Sequence, residues 1–179
     1  MRLHKIGLWV LLFPIFASSL RSQATLNRQE LDSARLFVQR FYDWYVPLTN
    51  KENKEPSSDI AIRIKPALFS ARLLAALRED SAAAAKSPGY IVGIDFDPFL
   101  NSQDPEEHYK VGKIDRRDGS CWVEIYGIRN GIQPPAPDVT AEIARSNNTW
   151  KFVNFHYSDN SDLLGVLKQL KIDREKEKQ

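Results

Sequence analysis

Two dipeptides limit what this chain can fold into. Asp118-Gly119 and Asn147-Asn148 each stand between two β-branched and aromatic runs: Tyr109 to Arg116 against Cys121 to Ile128, and Val139 to Arg145 against Trp150 to Tyr157. Two-residue loops of this composition take the left-handed backbone of a tight hairpin, because glycine has no Cβ to clash and Asn or Asp tolerates positive φ. Hairpin connections make neighbouring strands antiparallel. The remaining connection, Arg129 to Asp138, is longer, contains Asn130-Gly131 and three prolines, and is expected to project from the sheet edge. Four strands joined in this way form a meander whose apolar side needs helices to cover it.

The rest of the chain supplies those helices. Asn27 and Glu30 form a capping arrangement, after which Leu31, Ala34, Val38, Phe41 and Tyr45 recur at steps of three and four, widened by Phe37 and Trp44. Pro47 is expected to end that helix, and the polar stretch Leu48 to Ser58 reads as a solvated loop. Ile60 and Ile64 mark one short turn, Pro66 interrupts, and Ser70 can cap a run through Leu73, Leu74, Leu77 and the alanines 82 to 85 that stops at Pro88-Gly89. Gly89 to Asp104 is the hinge where helical spacing gives way to strand alternation. Ser161 begins a last helix, with Leu163, Leu164, Leu167 and Leu170 on its buried side, and Lys171 to Gln179 reads as a solvated, fraying end. The class is therefore α+β: N-terminal helices on a four-stranded antiparallel β-meander, with a C-terminal helix.

Arg2 and Lys5 precede twelve uncharged residues, Ile6 to Ala17, and Ser22-Gln23-Ala24 places small residues where a signal peptidase reads. This is the pattern of a cleavable secretory signal. Twelve helical residues rise only ~18 Å against a hydrocarbon core of ~30 Å, which argues against a membrane anchor. The expected organisation is a signal peptide at 1–24, with an alternative cleavage after Ser19, then one domain at 25–172 and a charged tail at 173–179. The mature protein is expected in the periplasm or outside the cell, with no stable membrane insertion. Cleavage removes Arg2, Lys5 and Arg21 and no acid, so the formal charge of +2 becomes −1. That balance does not favour nucleic acid as a partner. The single cysteine, Cys121, excludes an internal disulfide.

Several features together resemble an exported bacterial family, that catalogued as domain of unknown function 3828. They are the aromatic helix Phe37 to Tyr45 ending in Tyr42-Asp43-Trp44-Tyr45, the helix at Leu73 to Leu77, Asp97-Pro98-Phe99-Leu100 followed by Gln103-Asp104, and the final strand with Trp150-Lys151-Phe152. The resemblance spans about residues 37 to 157. It implies a nuclear-transport-factor-like, or cystatin-like, fold in which a curved antiparallel sheet wraps a long N-terminal helix. It implies no reaction, and that fold hosts enzymes, ligand binders and dimerisation modules alike.

No reaction motif stands out. Asp118-Gly119-Ser120-Cys121-Trp122 nearly matches the surroundings of a papain-type nucleophile, but Cys121 opens a strand and has only His156 downstream, so it reads as a buried structural thiol. Asp95, Asp97 and Asp104, with Glu106 and Glu107, could hold calcium, yet they lack a glycine-centred loop. They read instead as turn caps and solvated acids on a loop whose aromatics dock on the core. Tyr42, Asp43, Asp95, His108 and Tyr126 are the candidate acid–base set for a pocket of this fold. The aromatics Tyr42, Trp44, Tyr45, Trp122, Tyr126, Trp150, Phe152 and Phe155 suit a core, a ligand pocket or a dimer face.

The sequence thus points to a non-enzymatic binding domain for a small amphipathic ligand or a protein partner, with a homodimer as one form of the latter. Tyr42, Trp44, Asp95, Asp97 and Tyr126 are its candidate contact residues, and no cofactor or metal is expected. The alternatives are a protein inhibitor or immunity factor acting through Leu48 to Ser58 and Arg129 to Asp138, and a hydrolase or isomerase of the same fold.

Overall fold

A computed structural model describes residues 15–51, 53–87 and 92–176, with side chains from residue 27 onward. Chain contacts divide it at Ser33 and Ala34. Residues 15–33 are helical, and the α+β domain is built from Ala34 onward. The expected signal peptide falls on residues 1–14, outside the described residues, and on 15–24, whose side chains are not described.

In chain order the elements are α1 (Ile15–Thr49), α2 (Ser57–Ile64), a 3-10 turn (Pro66–Leu68), α3 (Ala71–Ala85), β1 (His108–Arg117), β2 (Ser120–Ile128), β3 (Val139–Ser146), β4 (Thr149–Tyr157) and α4 (Leu163–Lys176). The strands form one antiparallel sheet in the order β1-β2-β3-β4. Both dipeptides turn as their composition requires: Asp118 and Gly119 lie at φ 45° and 82°, Asn147 and Asn148 at 49° and 61°. The connection from β2 to β3 joins the two central strands, so it leaves the end of the sheet and not its lateral edge.

Three expectations about helix ends are corrected. Asn27 does not start α1, which runs through it; Ser18 to Thr25 contains neither glycine nor proline to stop a helix. Pro47 does not end α1 either. Lacking an N–H, it deprives only the exposed Asp43 of an intrahelical partner, and the helix closes at Thr49, whose hydroxyl donates to the Val46 carbonyl at 2.8 Å. The tail from Lys171 continues α4 to Lys176 and carries a buried anchor, Arg174. Ser70 does cap α3, accepting from the Leu73 N–H at 3.3 Å.

Cross-strand pairing assigns the two faces of the sheet. Val111, Cys121, Val123, Ile125, Val139, Ala141, Ile143, Phe152, Phe155 and Tyr157 share the inner face and are buried. Against them α1 presents Ala34, Val38, Phe41, Tyr42 and Tyr45, all at most 2% exposed. The outer face is polar: Lys110, Asp115, Trp122, Glu124, Tyr126, Thr140, Glu142 and His156. There the ring of Tyr126 occupies the space above Gly112, where a Cβ would stand 2.4 Å from the ring.

Neither edge of the sheet is left bare. On β1 the Gln39 amide imitates a neighbouring strand, donating to the Tyr109 carbonyl at 3.0 Å and accepting from the Val111 N–H at 3.0 Å, while Arg35 donates to the carbonyls of Val111 and Gly112. On β4, Phe69 bridges Phe152, and the Ser70 N–H donates to the Phe152 carbonyl at 2.8 Å. Where these contacts lie, the edge cannot template pairing with another chain. Among the described residues no helix is long and apolar enough to cross a membrane.

The Gln39 contact is open to direct test. Gln39→Ala leaves one N–H and one C=O of β1 without their partner, at a cost of about 1–2 kcal/mol in urea denaturation. Hydrogen exchange of the Val111 amide should accelerate at least about tenfold, since 1.4 kcal/mol is a factor of ten. Unchanged protection at Val111 would show that Gln39 does not secure this edge.

Candidate functional site

Asp97-Pro98-Phe99-Leu100 is the segment around which the site is built. The Asp97 carboxylate accepts from the backbone N–H groups of Phe99 at 3.0 Å and Leu100 at 3.2 Å, and Pro98, which has no N–H to satisfy, occupies the first position of the turn. Asn101 closes the turn with φ 52°, and the Asp97 N–H donates to the Ser102 carbonyl at 2.9 Å. Phe99 and Leu100 are completely buried. Three tyrosines hold the segment: Tyr42 donates to the Phe99 carbonyl at 2.8 Å, Tyr157 to the Pro98 carbonyl at 2.9 Å, and Tyr45 to Asp97 Oδ2 at 2.6 Å.

This environment alters the chemistry of the carboxyl group. Burial raises the Asp97 pKa to about 6 and outweighs the opposing hydrogen bonds from Tyr45, Phe99 and Leu100. Burial, reinforced by the Asp97 charge, raises Tyr42, Tyr45 and Tyr157 as well, so all three remain hydrogen-bond donors at neutral pH. Their geometry is that of clamps on a turn.

Beside this segment lies an open groove of about 600 Å³. Its wall carries Asp59, Asp80, Asp95 and Asp97, the hydroxyls of Ser57, Ser58, Ser81 and Ser102, and an apolar side of Leu77, Ile94, Phe96 and Pro98. Among the described residues no lysine, arginine or histidine lines it. Asp59 accepts from the Ser81 hydroxyl at 2.9 Å, and burial raises its pKa despite that bond. Asp80 is compensated from behind: Arg174 of α4 donates to its Oδ1 at 2.7 Å, and the Ile94 N–H donates to its Oδ2 at 2.9 Å. The Arg174 and Asp80 side chains are 11% and 7% exposed, so the pair is effectively buried. Arg174 also donates to the Val92 carbonyl at 2.8 Å, which ties the segment entering Asp95 to α3 and α4.

The structure separates the residues selected from sequence. Asp95 and Asp97 share the groove, Asp95 exposed and Asp97 clamped. Tyr42 lies behind that wall in the core. Trp44 is half-buried on α1 with the Lys65 ammonium 4.6 Å from its ring centre. Tyr126 is on the opposite face of the sheet, where its hydroxyl donates to Glu124 at 2.8 Å. Of the candidate acid–base set, Asp43 and His108 are exposed, and with Tyr42, Asp95 and Tyr126 they do not converge on one point. Cys121 is buried on the inner face and His156 faces outward, stacked on Trp122 at 3.9 Å. Among the described residues no group of three or more His, Cys, Asp or Glu could hold a metal ion.

Sequence reasoning overlooked Asp59, Asp80 and Arg174. A signal for two of them was present. Leu73, Leu77 and Asp80 follow at steps of four and three, as do Leu163, Leu167, Leu170 and Arg174 at steps of four, three and four. The acid and the base therefore continue the buried stripes of their helices.

Comparison of the chain with protein-family models, with curated proteins and with solved structures found no match.

The elevated Asp97 pKa fixes the sign of a pH effect. Its folded-state pKa of about 6 exceeds the ordinary value of 3.8. From about pH 4 to pH 6 the native state therefore binds more protons than the unfolded one, and stability falls as pH rises. Asp97→Asn removes this term. Urea denaturation should show the variant gaining about 2 kcal/mol on the wild type between pH 4 and pH 7. A difference independent of pH would contradict burial of this carboxyl.

Proposed function

We propose that this is an exported, non-enzymatic binding protein that holds a small amphipathic cation in the groove beside Asp97. The observation that carries the reading is the composition of the wall among the described residues: four aspartates, four serines, an apolar side and no basic residue. A ligand with an apolar body and an ammonium or guanidinium head fits both halves. Asp95, which is exposed, is the first contact for the charge. Asp59 and Asp97, whose burial disfavours ionisation, gain most from a cation placed between them. The groove volume falls within the range of ~300–1,000 Å³ usual for small-molecule sites. Export rests on the N-terminal charge pattern, and the resemblance to an exported bacterial family of nuclear-transport-factor-like fold supports the same reading.

A protein partner is the second reading, favoured by one observation. Ile132, 71% exposed, closes a turn at the start of the β2–β3 connection through reciprocal bonds with Arg129.

Three probes of one chain length separate charge from apolarity: decylammonium, decanol and decanoate, each below its micellar concentration. Titrated into the protein by NMR, decylammonium should shift the amides of Ser81, Asp95 and Ser102 and bind at least about tenfold more tightly there than decanol. Asp59→Asn combined with Asp95→Asn should abolish that preference. Equal binding of the three probes at this groove, or none, would remove the reading.

A further inference from the structure

A second groove lies between the 3-10 turn and α3 on one side and the β3–β4 hairpin on the other. Its volume is about 540 Å³. Phe69, Leu74, Ala144 and Val153 make its floor; Phe69 is buried, and the other three keep part of their surface open to solvent. Among the described residues the charged ones lining it are Arg145 and Lys151, with no carboxylate. The charge here is opposite to that of the aspartate groove.

We infer that this groove is a binding site for an anionic amphiphile, an aliphatic or aromatic carboxylate whose chain covers the floor and whose head meets Lys151 and Arg145. Both cations are held in place by the protein. The Lys151 ammonium reaches across from β4 to donate to the Ala67 carbonyl of the 3-10 turn at 2.8 Å. The Arg145 guanidinium sits over the Trp150 ring, 4.7 Å from its centre, and donates to the Asn148 carbonyl at 3.2 Å. A cation already restrained loses less side-chain freedom when an anion arrives, which favours binding. A carboxylate also forms charge-assisted hydrogen bonds with both groups, where an alcohol forms only neutral ones. The floor alone would accept any apolar chain, so the two cations set the sign of the head group.

The test applies the three ten-carbon probes to the full chain by NMR, each below its micellar concentration. Decanoate should shift the amides of Ala71, Leu74, Ala144 and Lys151 and saturate at a Kd at least about tenfold lower than decanol there. Arg145→Glu combined with Lys151→Glu should raise the decanoate Kd at least about tenfold, while decylammonium binding at Asp95 stays as in the wild type. Ala71→Trp, a substitution at an exposed position, should block the groove and abolish decanoate binding with both cations in place. If decanol matches decanoate, if the charge-reversed variant binds decanoate unchanged, or if Ala71→Trp leaves binding intact, the assignment is overturned.

Discussion

The ring of Phe41 stacks on Tyr45, with centroids 5.2 Å apart, and meets Phe69, Phe99 and Phe152 at 6.0, 5.6 and 4.8 Å. Those three rings come from the 3-10 turn boundary, the hinge segment and the last strand, so one side chain of α1 joins three segments that are distant in sequence. Aromatic contacts of this kind contribute about 0.5–1.5 kcal/mol each beyond the area they bury. Because the rings pack edge to face as well as stacked, they also fix the angle at which each element enters the core. The groove depends on this arrangement, since its wall begins two residues before Phe99.

Polar clamps complete what the rings begin. Tyr42 and Tyr45 from α1 and Tyr157 from β4 donate to three successive groups of the Asp97 turn. The turn can therefore neither slide along the core nor rotate within it. Arg174 does the same for the segment entering Asp95, binding Asp80 and the Val92 carbonyl at once. Removing one member of such a buried ion pair leaves the other uncompensated, typically at a cost of ~3–5 kcal/mol. Two rigid supports thus hold the Asp80 to Asp97 side of the groove.

Much of the architecture was legible because its signals are local. The hairpin dipeptides carry their own backbone preference, so the strand ends lie within a residue of those expected, although register shifts at Val111/Ile114 and Glu142/Ile143 interrupt the alternation of the strands they join. The helix termini were less legible. Pro47 is tolerated in the last turn because the carbonyl it deprives belongs to exposed Asp43, and that depends on exposure, which no local pattern encodes. At the site, Asp95 and Asp97 were identified through their loop chemistry, whereas Tyr126 was grouped with Tyr42 although pairing puts it on the other face of the sheet. Strand parity could have separated it: Cys121, Val123 and Ile125 form the apolar set, and Tyr126 falls on the alternate one. Asp59 became a groove residue only through the packing of α2 against α3, a contact that sequence spacing does not specify.

The measurement that bears most directly on this account is a carboxyl-carbon NMR titration of Asp97, alone and with saturating decylammonium. The account predicts a midpoint near 6 in the free protein, because burial opposes ionisation. With the cation present it predicts a clear fall, because a positive charge in the groove stabilises the carboxylate. An ordinary midpoint near 4, or one that decylammonium leaves in place, would contradict the claim that the Asp97 segment forms the wall of a cation-binding groove.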